Sequence, residues 1–239
     1  MTPIEIIKSW QRGDHPLVVI GLGYLGLPIA IEFAKHGHVI GYDYNQRGID
    51  ELNSNYDRTR EVEAETLKES SITFSSNEDS LKNAAVIIVT VPTPVNHRNI
   101  PDLSMLLSAA KTISKNISKN VIIVYESTVY PGATEEQYIS VLLKESNLKL
   151  NKDFFIGYSP ERISPAYPVH TFSNIYKIAC GSSIETLIES FASNSISIYY
   201  CDPCIYEDFN EIVFLDHSRF KSHEESLGKI ILIDRSVYK

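Results

Sequence analysis

The run Leu17-Val-Val-Ile-Gly-Leu-Gly-Tyr-Leu-Gly-Leu-Pro28 constrains the fold more than any other part of the chain. Four apolar residues, 17–20, have the length of a short buried strand. Gly21-x-Gly23-x-x-Gly26 follows, and then an amphipathic segment at 29–36 that reads as a helix. In a strand–turn–helix that cradles a pyrophosphate each glycine has its own reason. Gly21 turns the chain sharply off the strand, Gly23 lacks the Cβ that would hold the phosphates away, and Gly26 lets the helix lie against the strand. The helix N-terminus then presents free backbone N–H groups and a partial positive charge. The next strand, 38–43, ends in Asp43, 20 residues beyond Gly23, where an acid accepting hydrogen bonds from an adenosine ribose belongs. Without its neighbours the glycine pattern marks only a tight turn. With a strand before, a helix after and an acid at the end of the next strand, it predicts a dinucleotide site.

The rest of the chain repeats the strand–helix alternation expected of a doubly wound, mostly parallel α/β sheet of Rossmann type. Residues 2–12 carry Ile4, Ile7 and Trp10 at helical spacing and stop at Gly13, which predicts a leading helix. A helix over 48–55, an exposed Glu-rich loop and helix over 58–70, a short strand at 72–74 and a helical turn from Asn77 come next. Ala84-Ala-Val-Ile-Ile-Val-Thr-Val91 is β-branched without alternation, as strands covered on both faces are. Pro92-Thr-Pro94 then takes the chain out of the sheet at the strand's carboxyl end, with the Thr93 hydroxyl over the crevice. A helix runs from 101 to 117, and a strand at 120–125 delivers Glu126-Ser-Thr-Val-Tyr-Pro-Gly132 to the same rim. Thr134 opens another helix, 153–158 is a sixth strand ending in Ser159-Pro-Glu-Arg162, and 175–179 a seventh, with a helix at 184–192.

Bulk properties exclude several function classes. A net charge of −8 with no Lys/Arg cluster argues against a nucleic-acid surface. No apolar run approaches the roughly 20 residues of a membrane span, and residues 1–10 lack a signal-peptide core. Three cysteines, Cys180, Cys201 and Cys204, make no disulfide framework, so a reducing cytoplasm is expected. Cys201-Asp-Pro-Cys204 has no second Cys/His pair to complete a metal site, and it opens no helix as a redox pair would. No metal site is predicted, and none of the seven histidines pairs with a Ser or Cys in a hydrolytic pattern.

Five motifs, in order, carry a resemblance. Gly21-Leu-Gly-Tyr-Leu-Gly-Leu-Pro28, Val91-Pro-Thr-Pro-Val-Asn96, Pro101-Asp-Leu-Ser104, Tyr125-Glu-Ser-Thr-Val-Tyr-Pro-Gly132 and Gly157-Tyr-Ser-Pro-Glu-Arg-Ile163 resemble the N-terminal domain of the UDP-glucose/GDP-mannose (nucleotide-sugar) dehydrogenase family. The branch most resembled oxidises UDP-N-acetylhexosamines for bacterial surface polysaccharide synthesis. The resemblance implies NAD as cofactor and a UDP-sugar whose C6 alcohol becomes a carboxylate in two hydride transfers, with a cysteine thiohemiacetal between them. It implies that Gly21, Gly23, Tyr24, Leu25 and Gly26 form the pyrophosphate turn and that Asp43 meets the ribose. Thr93 and Thr128 would line the nicotinamide side, and Glu161 and Arg162 the substrate side. Two departures stand out. The family's Lys or Arg before Ile49 is here Gly48, with Arg47 one place early, and its Asn-Pro-Gly after Ser-Pro-Glu-Arg-Ile is here Ser164-Pro-Ala-Tyr167.

The resemblance runs to about residue 198, and the expected domains are 1–198, binding NAD, and 199–239, a short truncated α/β remnant of the family's UDP-sugar-binding domain. In the remnant, Tyr199-Tyr-Cys-Asp-Pro203, the segment 211–220 and the segment 229–238 look like strands of that domain, and Arg235 is an out-of-register match to its nucleotide-binding arginine. The family's long central helix and its Gly-Gly-x-Cys segment have no counterpart in the 239 residues. No catalytic residue is therefore assigned. Cys201 adjoins Asp202, which disfavours a thiolate, and Cys180 reads as a small buried residue. Three readings follow: a shortened, inactive dehydrogenase; a non-catalytic module that holds NAD or pairs with a full-length paralogue; and a small dehydrogenase that takes its base from a partner subunit. The apolar face left by the missing segments predicts self-association.

Overall fold

β-branched runs with no polar alternation need cover on both faces, and the strands obtain it in a three-layer arrangement. The computed structural model describes residues 1–159 apart from 99, 131 and 132, together with the backbone of strands at 177–181, 198–201, 211–215 and 231–234. Strands β1 (Leu17–Ile20), β2 (Val39–Tyr42), β3 (Thr73–Ser75), β4 (Val86–Val89), β5 (Val121–Tyr125) and β6 (Phe154–Tyr158) pair in parallel. Their order is β3-β2-β1-β4-β5-β6, so the winding reverses between β1 and β4. The sheet continues through β7 (Lys177–Gly181), antiparallel to β6, and β8 (Ile198–Cys201), parallel to β7. Strands β9 (Glu211–Leu215) and β10 (Ile231–Asp234) complete it in antiparallel pairs. The seventh strand thus begins two residues later than the predicted 175–179, and the predicted helix at 184–192 lies outside the described residues.

Side chains alternate between the two covering layers. Leu17, Val19, Val86, Ile88, Ile122 and Val124 pack into one apolar cluster. Their neighbours Val18, Ile20, Ile87, Val89, Ile123 and Tyr125 pack into the other. The first layer holds α1 (Pro3–Gln11), α2 (Gly26–Ala34), α3 (Gln46–Asn53) and α4 (Ala64–Glu69). The second holds a 3₁₀ turn at Glu78–Leu81, α5 (Ser104–Asn116), a π-helical turn at Thr134–Ile139 and α6 (Ser140–Ser146). Both clusters have the size and burial of a domain core, and they fix the sheet on which the strand ends are displayed.

Local signals explain most boundaries. Thr2 caps α1 in a reciprocal box with Glu5, and Pro3 stands in the first turn, where its missing N–H costs nothing. Ile6, Ile7 and Trp10 of α1 are buried, while the predicted Ile4 is only half-buried. The Trp10 indole donates to the His38 carbonyl at 3.0 Å and meets the Phe33 ring edge-on, which ties α1 to the turn between α2 and β2. Helix α2 starts at Gly26, three residues before the predicted 29, because Leu27 and Pro28 continue the first turn rather than extending the loop. Helix α5 starts at Ser104, where the Asp102 carboxylate accepts from the Ser104 N–H at 2.9 Å.

Asp153 directly precedes β6 and ties its start to the neighbouring loops. Its carboxylate pairs with Lys119 at 3.1 Å and accepts from the Lys149 N–H at 3.0 Å. The Lys119 ammonium first, and then the Lys149 N–H, hold the carboxyl below the usual carboxylate range. A carboxyl depressed in the folded state stabilises the protein fully above its unfolded pKa of about 4 and stops doing so as pH falls through the lower folded value. The thermal midpoint of Asp153→Asn should therefore fall less steeply than that of the unaltered protein between about pH 5 and pH 3, and parallel curves would contradict this assignment.

Candidate functional site

At the reversal between β1 and β4 the carboxyl ends of the strands diverge and leave a crevice, the place where open α/β sheets bind ligands. A cleft of about 700 Å³ lies there, within the range of cofactor sites. Its floor is the glycine loop after β1, its sides the segments after β2, β4 and β5, and its far wall one face of α5.

The loop is built as the glycine spacing predicts. Gly21 has φ +91°, a left-handed conformation that turns the chain off β1 and suits a residue without a side chain. A Cβ on Gly26 would stand 1.8 Å from the Gly21 carbonyl oxygen and 2.4 Å from the Thr90 hydroxyl, so residue 26 is where α2 presses on the strand end. A Cβ on Gly23 would meet nothing within 4 Å, so the fold itself makes no demand for glycine there. That open space faces the cleft. Tyr24, 47% exposed, and the largely buried Leu25 complete the loop along the same rim.

Asp43 stands at the end of β2 with both carboxylate oxygens engaged. Oδ2 accepts from the Leu22 N–H and Oδ1 from the Asn45 N–H, each at 2.9 Å. Two backbone donors fix the carboxylate against the glycine loop and leave a second acceptor direction on each oxygen for a diol. On the β4 side, the Thr93 hydroxyl donates to the Thr128 carbonyl at 2.6 Å and Ser127 donates to the Val91 carbonyl at 2.5 Å. These two bonds lace the ends of β4 and β5 together. Thr93 and Thr128 are thus brought into contact through a backbone carbonyl, with the Thr93 oxygen left to accept.

Electrostatically the cleft is unusual for a phosphate site. Among the described residues, neither Lys nor Arg lines it, while the carboxylates Asp43 and Glu126 do. The attraction for a pyrophosphate must come from loop N–H groups and the N-terminus of α2, whose first turn carries no acid. Tyr42 remains a neutral phenol, since burial and then the charges of Glu78 and Asp43 push its pKa up. A pyrophosphate over an open Gly23, a diol at a fixed carboxylate and apolar walls for two rings are the features NAD requires, and these residues fit it.

A profile of the UDP-glucose/GDP-mannose dehydrogenase family, NAD binding domain, matches residues 15–199. The chain belongs to this family. Protein CapL of Staphylococcus aureus is 52% identical over 174 residues, which are 73% of this chain and 41% of CapL. The UDP-N-acetyl-D-glucosamine 6-dehydrogenase of Pseudomonas aeruginosa is 50% identical over 173 residues, 72% of this chain and 41% of that enzyme. Among solved structures, a UDP-D-ManNAc dehydrogenase from Pyrococcus horikoshii superposes with a TM-score of 0.71 at 29% identity, over 78% of this chain and 47% of that one. The chain therefore spans about 41% of the length of these curated relatives.

The family's cofactor residues predicted from sequence, Gly21, Gly23, Tyr24, Leu25, Gly26, Asp43, Thr93 and Thr128, all border the cleft except Gly26, which lies beneath it. Glu161, Arg162 and Arg235 lie outside the described residues, as does Cys204. Cys180 and Cys201 stand opposite each other in register on β7 and β8. Sequence reasoning passed over Thr90, whose hydroxyl lies 2.9 Å from the Ile20 carbonyl and 2.7 Å from that of Gly21 and donates to this pair. Its one signal is a polar residue closing an otherwise apolar strand. It also passed over Tyr44, 81% exposed beside Asp43, and the α5 residues Met105, Ser108 and Thr112. Among the described residues no group of three or more His, Cys, Asp or Glu could hold a metal ion, and no helix is long and apolar enough to cross a membrane.

The two inner glycines separate fold from function. Gly26→Ala should lower stability by about 2 kcal/mol or more, because the Gly21 backbone and the Thr90 hydroxyl must both shift to admit the methyl group. Gly23→Ala should stay within about 0.5 kcal/mol of the unaltered protein. The same Gly23→Ala change should weaken NAD at least about tenfold, through loss of close pyrophosphate approach. Denaturant unfolding and calorimetric titration read the two effects, and a destabilised Gly23→Ala protein would contradict this division.

Proposed function

We propose that this chain is the NAD-holding half of a nucleotide-sugar 6-dehydrogenase, acting on the C6 alcohol of a UDP-N-acetylhexosamine on the route to a uronic acid for surface polysaccharide. The observation that carries the reading is the Asp43 carboxylate, fixed by the Leu22 and Asn45 N–H groups beside an open Gly23 at the sheet's winding reversal. Its support from relatives is the 50% identity to an enzyme named as a UDP-N-acetyl-D-glucosamine 6-dehydrogenase. In this reading residues 1–198 hold NAD, and 199–239 derive from the UDP-sugar domain.

Each group then has a task. Backbone N–H groups from Gly21 to Gly26 and the α2 N-terminus hold the pyrophosphate, with Tyr24 and Leu25 bordering it. Asp43 accepts from the ribose hydroxyls. The Thr93 oxygen, its proton committed to the Thr128 carbonyl, accepts from the carboxamide N–H and so orients the ring without placing a charge beside it. Bound NAD supplies the hydride acceptor. Glu161 and Arg162 face the sugar nucleotide in this reading. A second reading is a non-catalytic NAD module that pairs with a full-length paralogue, and turnover decides between the two.

NAD binding tests the seat that both readings share, and NADH formation separates them. NAD at about a hundred times its dissociation constant should stabilise the fold by about 2.7 kcal/mol, since it binds the native state alone. Asp43→Asn should weaken NAD by about 1–3 kcal/mol by removing a charged acceptor. No stabilisation by NAD would contradict both readings. NADH formation from NAD and UDP-N-acetylglucosamine by the purified chain would exclude the non-catalytic module. Binding of NAD without NADH formation, with activity restored by a full-length paralogue, is the outcome that module predicts.

A further inference from the structure

A second, smaller cleft of about 160 Å³ adjoins the first where β2 passes into α3. It shares Gly23 and Asp43 with the larger cleft, and Gly48, Glu51, Asp57 and Arg58 also line it. In the cofactor reading above, on which this inference rests, Asp43 holds the adenosine ribose, so this cleft receives whatever is attached to the ribose on the α3 side. For NAD that is a hydroxyl. For NADP it is a phosphate monoester with a charge of roughly −1.5 to −2 at neutral pH, and dinucleotide sites that accept it place an arginine nearby.

The arginines are present, but they are committed elsewhere. Arg58 is the one cation among the described residues lining the small cleft. Its Nε and Nη2 both reach Glu51 Oε2 at 2.7 Å. The other oxygen, Oε1, accepts from Arg47 Nε at 3.2 Å, one turn earlier on α3. Glu51 is the least exposed of the three, at 22% of its side chain against 45% for Arg58 and 83% for Arg47. The pair with Arg58 is therefore the better shielded, and the one that fixes a guanidinium. Gly48, where the family's usual Lys or Arg is missing, adds no charge, although a Cβ there would meet Asn45 at no less than 3.7 Å.

We propose that Glu51 is a cofactor-specificity residue: by holding Arg58, and secondarily Arg47, it denies a 2′-phosphate its counter-charge and keeps the seat selective for NAD over NADP. Asp43 repels the phosphate directly, and Glu51 withholds the cations that would offset that repulsion. Removing the Glu51 charge frees the Arg58 guanidinium at the cleft and leaves two lining carboxylates: Asp43, and Asp57, which is engaged by the Thr59, Glu61 and Val62 N–H groups.

The test is titration of the unaltered protein, Glu51→Gln, Glu51→Ala and Glu51→Gln with Arg58→Gln against NADH and NADPH, followed by nucleotide fluorescence. Both single variants should gain at least about tenfold in NADPH affinity while NADH changes less than about threefold, as one new charge-assisted contact predicts. The double variant should lose that gain. Single variants that bind NADH but gain nothing for NADPH, or a double variant that keeps the gain, would overturn the proposal while leaving the NAD seat intact. An unaltered protein that binds neither nucleotide would overturn the seat and the proposal together.

Discussion

A methyl group's worth of missing space at residue 26 holds the site together. The Gly21 carbonyl lies 1.8 Å from where a Cβ of residue 26 would stand, and the Thr90 hydroxyl lies 2.4 Å from it. The ends of β1 and β4 and the start of α2 therefore meet at one point that leaves no room for a side chain on residue 26. Thr90 donates to the two carbonyls at the end of β1, which locks that meeting point from the β4 side. Because α2 is seated so closely, its N-terminus and the loop before it face the cleft. Because β1 and β4 are the strands at which the winding reverses, the same contact opens the crevice.

The remainder of the seat is fixed by hydrogen bonds that span chain segments. Asp43 joins the end of β2 to the glycine loop, and Thr93 and Ser127 join the ends of β4 and β5. Such bonds hold polar groups in place before any ligand arrives, which lowers the ordering cost of binding. The absence of lining cations among the described residues gives the site a particular character. Phosphate recognition rests on dipoles and backbone donors, while the arginines near the ribose end are engaged with Glu51. The seat is thus selective by what it withholds as much as by what it offers.

The sheet was legible in the sequence because its signals are local: β-branched runs without alternation at β1, β4 and β5, and prolines at 92 and 94 that end pairing. Gly21, Gly23 and Asp43 were legible because spacing encodes their geometry. The α2 boundary moved three residues earlier because a first turn of Gly26-Leu27-Pro28 looks like a loop, and the α5 boundary moved three residues later because Pro101-Asp102-Leu103 looks like a first turn but precedes the helix. Thr90, Tyr44 and the Glu51 clasp were not legible. Thr90 acts on carbonyls 69 and 70 residues away, and the Glu51 pairs depend on where a loop at Arg58 returns to α3. No local pattern carries such contacts.

Hydrogen exchange of backbone amides with and without NAD reads the cofactor seat residue by residue. NAD should slow exchange at the amides of residues 22–26 and 44–45, and more weakly near 93 and 128, with the distant start of β6 near Asp153 unchanged. Unaltered exchange through the glycine loop at saturating NAD, or protection confined to another surface, would contradict it.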